Sequence, residues 1–203
     1  MTVINTSRGY IFIHIPKNAG RALKLRLSQE KDCLFDLCPP GIDDNFHAKA
    51  KHWLADPRVS TLPTVAIIRN PWDRALSIYL HMIDTCESNM NEPWAQSNHP
   101  LLIQQGFKAA WMPGGIIANK HGRKPSKGWQ WIDQQVSWLH TNTKVFRIED
   151  QLEDACKFLG IDVPSKFGAT THISYNQYYD DELKERIATL FADDIKLGGY
   201  TFE

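Results

Sequence analysis

Two apolar runs constrain this chain more than any other feature. Residues 10–15, "YIFIHI", and 64–68, "TVAII", are short and rich in β-branched and aromatic side chains, the composition of buried strands. Each gives way to a cation and then to a helical pattern. The first runs through Pro16-Lys17-Asn18-Ala19-Gly20 into a segment with Leu23 and Leu27 at helical spacing. The second passes Arg69 and Pro71, a residue suited to the first turn of a helix. It continues into Trp72–Ile83, with Ala75, Leu76, Tyr79, Leu80 and Ile83 on one face. "CLFDL" (33–37) is a candidate strand, and "NFHAKAKHWLADP" a short helix that stops before Pro57. "TKVFRIED" (143–150) predicts a further strand, feeding a helix over 150–159 that ends at Gly160. Trp129–His140 and Asp180–Ala192 read as helices. Strands alternating with helices argue for an α/β layer fold with a central parallel β-sheet flanked by helices.

The 203 residues suit a single domain, 1–203. Its pattern breaks at about 84–127, where Met, Asn, Pro, Gly and Ser interrupt the periodicity. This is expected to be a loop-rich insert on the substrate side, with a helix near 99–110. Lys and Arg together number 23, as do Asp and Glu. No global field draws nucleic acid or a membrane surface, so any anion site must be local. No run approaches the roughly 20 apolar residues of a membrane span, and no leader is visible, so a soluble, cytoplasmic chain is expected. Cys33, Cys38, Cys86 and Cys156 form no C-x-x-C pair and no Cys/His ligand spacing, which argues against zinc. Free thiols in a reducing compartment are expected; Cys33 and Cys38 could be bridged in an oxidising one.

In parallel sheets, ligands bind beyond the carboxyl ends of the strands. Two strand ends here carry groups suited to that. At Pro16-Lys17-Asn18-Ala19-Gly20, helix-start amides and a mobile lysine would hold a phosphate, with Gly20 permitting close approach. A plain helix cap with a solvated lysine reads equally well. The usual ATP loop, G-x-x-x-x-G-K-[ST], is absent. At "IIRNPWDRALSIY", Arg69 leaves an apolar strand and Ser77 follows two helical turns on, where it can face back to the strand end. An arginine and a hydroxyl make a forked phosphate grip. Asp73 and Arg74 could instead join Arg69 in a structural ion pair.

Taken together, these stretches resemble the signatures of sulfotransferases that use 3′-phosphoadenosine 5′-phosphosulfate (PAPS). "IFIHIPKNAG" is similar to F-[IV]-H-[IV]-P-K-[TN]-[AG]-G, and "IIRNPWDRALSIY" to [VI]-R-[ND]-P-[WY]-[DE]-R-x-x-S-x-Y. "QQVSWL", "FRIEDQLEDACKFLGI" and "YNQYYDDELKERIATLFADDIKLGGYTF" resemble the later motifs, in order, over most of the chain outside 84–127. Within that family the stretches resemble those of the carbohydrate sulfotransferases, including heparan sulfate O-sulfotransferases and bacterial homologues. The resemblance implies a three-layer P-loop-NTPase-like fold and transfer of a sulfuryl group from PAPS to an acceptor hydroxyl, foremost on a carbohydrate. The product would be adenosine 3′,5′-bisphosphate, and no metal is required on this reading. Lys17, with the amides of Asn18, Ala19, Gly20, Arg21 and Ala22, would hold the 5′-phosphosulfate, and Lys17 would neutralise charge on the bridging oxygen. Arg69 and Ser77 would hold the 3′-phosphate.

The acceptor hydroxyl needs a base, and histidine suits neutral pH. "FHAKAKHWL" resembles an H-A-T-A-x-x-L segment in which a histidine is the proposed base. This implies His47 as a catalytic residue, with His52 and then His172 as fallbacks. His14, His81 and His140 read as packing or surface residues. His52, Gln135 and Trp129 are the substrate-side candidates. Trp94, Trp111 and Trp131 also lie in or beside the insert, where aromatic faces could stack on sugars, although tryptophans are ordinary core residues. Lys120, Arg123, Lys124 and Lys127 would meet an acidic glycan or the 3′-phosphate side of the cofactor, or form a solvated loop. Glu149 reads as structural, tied to Arg147 or Arg69. The chain departs from the pattern at Arg21-Ala22, where hydroxyl residues are usual; this weakens the expected side-chain grip on phosphate. That departure suggests one rival, a catalytically inactive relic that still binds PAPS or its product; the other, a small P-loop nucleotide kinase, is disfavoured because the lysine precedes the glycine and no Ser or Thr follows it to hold magnesium.

Overall fold

The structure is a computed structural model that describes residues 2–35, 37–39, 41, 48–119, 132–164 and 174–203. In chain order its elements are β1 (Val3–Asn5), β2 (Tyr10–Ile13), α1 (Gly20–Leu27), β3 (Cys33–Leu34), α2 (Ala50–Leu54) and β4 (Thr64–Ile68). There follow α3 (Pro71–Glu87), α4 (Pro93–Trp111), β5 (Lys144–Arg147), α5 (Leu152–Leu159), α6 (Asp181–Leu190) and α7 (Ala192–Gly198). The chain divides into two compact units. The first comprises Met1–Arg69 and Gln135–Ala169, the second Asn70–Gln134 and Thr170–Glu203.

The first unit is built on a five-stranded sheet of order β3-β1-β2-β4-β5. β2, β4 and β5 run parallel, with Phe12 opposite Val65 and Ile67 opposite Phe146. The two apolar runs of the sequence are thus neighbouring parallel strands. The sheet as a whole is mixed, which corrects the expectation of a parallel one. β1 pairs antiparallel with β2 and with β3. The reason is a tight hairpin that the three-residue "VIN" did not announce. Between Asn5 and Tyr10 the Asn5 side-chain oxygen accepts from the Arg8 amide at 2.8 Å, and Gly9 takes φ 66°, a left-handed value that glycine adopts at little cost.

Period-two alternation sends Val3, Tyr10, Phe12, Val65, Ile67 and Phe146 to one face of this sheet. There they pack with Leu23 and Leu27 of α1 and with Ala155, Cys156 and Leu159 of α5. Leu23 and Leu27 are fully buried, each contributing about 1.5–3 kcal/mol by removal from water. Ile11, Ile13, Ala66 and Ile68, on the opposite face, are buried as well. That accounts for continuous rather than alternating apolar strands. α5 ends at Gly160, φ 74°, whose amide donates to the carbonyls of Cys156 and Lys157.

The second unit is helical. Trp72, Leu76, Tyr79 and Met82 of α3 share a core with Leu102, Phe107 and Trp111 of α4 and with Leu183 and Ile187 of α6. The helix expected near 99–110 is α4, longer than expected: it begins with Pro93 at its first turn and is kinked at Gly106, φ 70° and ψ 177°. The helix expected over Asp180–Ala192 is α6, and a further helix, α7, follows it after a break at Phe191, whose ring is buried edge-on to Trp111 at 5.7 Å. Asn70 caps α3 by accepting from the Trp72 amide at 3.0 Å. Its own amide group donates to the Tyr175 hydroxyl (3.3 Å) and the Thr201 carbonyl (3.2 Å). Tyr179 donates to the Trp72 carbonyl at 2.7 Å. Much of the terminal tyrosine motif is accordingly spent on anchoring the start of α3.

The helix expected over Trp129–His140 is, among the described residues 132–140, a 3-10 turn at Gln135–Trp138. Residues three apart eclipse in that geometry, and Gln135 and Trp138 are both fully buried, so the spacing mimics an α-helical face. All four cysteines are unbridged. No helix among the described residues is long and apolar enough to cross a membrane.

Candidate functional site

Because β2 and β4 are adjacent and parallel, their carboxyl ends emerge at the same sheet edge. β2 ends at Ile13 and reaches α1 through residues 14–19. Two non-glycine residues of this loop have positive φ, Lys17 at 71° and Ala19 at 57°. Left-handed conformation costs an L-residue about 1–2 kcal/mol, so the loop is held by contacts rather than by local preference. α1 has no side-chain N-cap and no acidic residue in its first turn. The amides of Ala22 and Leu23 both turn to the Ala19 carbonyl. The amides ahead of them have no intrahelical acceptor, and with the helix dipole they favour an anion.

Three side chains brace this loop against the exit of β4. Asn18, 2% exposed, donates from Nδ2 to the Ile67 carbonyl at 2.8 Å and to Oε1 of Gln135 at 2.6 Å. Gln135 binds both backbone groups of Arg69: its Oε1 accepts from the Arg69 amide, and its Nε2 donates to the Arg69 carbonyl, each at 2.9 Å. The Arg69 guanidinium donates from Nη1 to the Lys17 carbonyl at 3.1 Å. The Oδ1 atom of Asn18 is buried with no partner among the described residues, leaving one acceptor open to a donor at the loop.

Gly20 also has a packing role. A Cβ there would lie 1.9 Å from Cδ2 of His14. The missing side chain makes room for the His14 imidazole, which stands just past the end of β2. His52, on α2, is half-buried and accepts from the Lys49 amide through Nδ1 at 3.1 Å. Burial, and then Lys51 and Lys49, hold its pKa below the ordinary histidine value. Its neutral form therefore carries the proton on Nε2 as a donor, while the ring lone pair is engaged by the helix cap. Lys49 itself donates to the Ser137 hydroxyl at 2.9 Å and lies 5.3 Å from the centre of the Trp138 ring.

Of the residues singled out in the sequence, Lys17, Asn18, Ala19, Gly20, Arg69 and Gln135 fall together in the first unit. Arg21 is exposed and Ala22 half-buried on the first turn of α1. Ser77 is buried on α3 in the second unit. Trp111 is a core residue and Trp94 is partly exposed. Arg147 pairs with Asp150, and Arg74 donates to the Asp133 carbonyl at 2.9 Å. The expected base His47 lies outside the described residues, as do Trp129, Trp131, His172 and the basic stretch 120–128. What the sequence concealed is the work of Gln135 and Asn18 as braces: a buried amide leaves no periodic trace.

Among the described residues, no group of three or more His, Cys, Asp and Glu side chains is arranged to hold a metal ion. No family model, curated protein or solved structure matches the chain.

Proposed function

We propose that this protein is a sulfotransferase that uses PAPS and an acceptor hydroxyl, foremost that of a carbohydrate. The observation that carries the reading is the hydrogen bond from Arg69 to the Lys17 carbonyl. It joins a lysine-bearing loop, strained at two residues, to a cation at the end of the neighbouring parallel strand. A cation at one strand end, bonded to the backbone of a lysine-bearing loop at the next, suits a ligand with two anionic ends. In this reading β2, β4 and β5 are the heart of a P-loop-NTPase-like fold, with β1 and β3 added as antiparallel strands.

PAPS, when bound, supplies an activated sulfuryl group. Lys17 and the first amides of α1 hold its 5′-phosphosulfate end and stabilise the charge that develops there. Arg69 grips the 3′-phosphate. Ser77 and the base His47 enter the reading from the sequence motifs alone. Arg21 stands where a hydroxyl residue is usual, so charge replaces a short side-chain bond to phosphate. Positioning and electrostatics, rather than covalent chemistry, then carry the rate.

Calorimetry with adenosine 3′,5′-bisphosphate and with ATP–Mg, followed by transfer assays with labelled PAPS over glycan and alcohol acceptors, tests this. Bisphosphate binding, no ATP binding and sulfate transfer are expected. Tight ATP–Mg binding would instead identify a nucleotide kinase. Bisphosphate binding without transfer to any acceptor would identify an inactive relic.

A further inference from the structure

We infer that Gln135 is a positioning residue that gives the site its discrimination for a 3′-phosphate, acting through Arg69; this rests on the function proposed above. β4 pairs with β5 up to Ile68, opposite Arg147, and the Ile68 carbonyl accepts from Ile148 at 2.9 Å. Arg69 is thus the first residue past the paired strand, where a partly buried amide and carbonyl would otherwise need new partners. The side chain of Gln135 supplies both, like one more rung of a ladder. Its Oε1 has two lone pairs, and both are used, by the Arg69 amide and by Asn18 Nδ2.

The consequence is geometric. One fully buried amide fixes the backbone from which the Arg69 guanidinium extends, whereas the loop that carries Lys17 keeps a brace of its own in the bond from Asn18 Nδ2 to the Ile67 carbonyl. An arginine's forked grip depends on angle as well as distance. Loosening its backbone should therefore cost selectivity for the phosphate it holds before it costs general nucleotide affinity. A side chain that served only to fill the core would lower stability and weaken all ligands alike.

The test compares binding of adenosine 3′,5′-bisphosphate and adenosine 5′-monophosphate, which differ in the 3′-phosphate. The parent should prefer the bisphosphate by about tenfold or more. Gln135→Met, which keeps the volume and removes the polar contacts, should bring that preference close to one, with 5′-monophosphate affinity changed less than about threefold. Gln135→Glu keeps the two acceptor contacts and loses the donor to the Arg69 carbonyl. It should reduce the preference too, and decides the matter if the Met variant fails to fold. In an Arg69→Ala background, Gln135→Met should have no further effect on the preference. A variant that retains the parent's preference, or weakens both ligands equally, overturns the inference while leaving the function intact. A parent with no preference overturns the functional reading and this inference with it.

Discussion

Arg69 and Lys17 are linked through the backbone of one and the side chain of the other: the Arg69 guanidinium donates from Nη1 to the Lys17 carbonyl at 3.1 Å. That carbonyl belongs to a residue with φ 71°. The bond therefore helps to hold a strained turn and, on the proposed function, ties that turn to the side chain that meets phosphate. Arg69→Ala removes both roles. Hydrogen bonds to charged groups are worth about 1.5–3 kcal/mol, so adenosine 3′,5′-bisphosphate should bind roughly ten- to a hundredfold more weakly by calorimetry. Equal binding by the variant would move the 3′-phosphate site away from Arg69.

Gly20 and His14 make a second, separable prediction. A Cβ at Gly20 would fall 1.9 Å from the His14 ring, so the ring or the helix start must shift. Gly20→Ala should destabilise the protein by about 1–3 kcal/mol, the usual cost of overpacking, measured by urea unfolding. In a His14→Ala background most of that penalty should vanish, because the clash has lost its partner. An equal penalty in both backgrounds would mean that backbone conformation at position 20, rather than the imidazole, requires glycine.

The strands and the long helix α3 were legible because their signals are local: continuous apolar runs, a proline at the helix start and one apolar face. β1 was not legible, because a three-residue strand owes its existence to the hairpin it closes. Gln135 was legible as part of a motif but not as a brace, since its partners Asn18 and Arg69 are 117 and 66 residues away in sequence. Gly20 was legible as a residue needed without a side chain, but not the neighbour that needs it so: His14 fills the direction a Cβ would take. Periodicity reports which face of an element is buried. It does not report which buried polar group meets which, and most of this site consists of such meetings.

His52 makes the fold sensitive to pH in a definite direction. Burial, then Lys51 and Lys49, lower its pKa from 6.5, while its Nδ1 accepts from the Lys49 amide. The folded state thus binds a proton less readily than the unfolded chain does. The stability linked to this group is fully present above the unfolded value, and it is lost as pH falls through that value toward the lower folded one. Unfolding midpoints of the parent and of His52→Gln should therefore converge as pH drops from 8 to 5, the parent losing more. Parallel curves across that range would show that His52 does not gain a proton on unfolding.

Asn70 concentrates several bonds in one side chain of the second unit. It caps α3 at the Trp72 amide and donates to both the Tyr175 hydroxyl and the Thr201 carbonyl. Losing an N-cap alone costs about 0.5–2 kcal/mol. Here the Tyr175 and Thr201 contacts go with it, and Asn70 is 8% exposed, so water replaces them poorly. Asn70→Ala should therefore fall at or above the upper end, about 2 kcal/mol or more. Asn70→Asp separates the contributions. A carboxylate still accepts from the Trp72 amide and suits the positive end of the helix dipole, but it cannot donate to Tyr175 or Thr201. If the cap dominates, the Asp variant should recover most of the stability in urea unfolding. If the chain-terminal contacts dominate, it should be nearly as unstable as the Ala variant, and hydrogen exchange at the Thr201–Glu203 amides should accelerate in both.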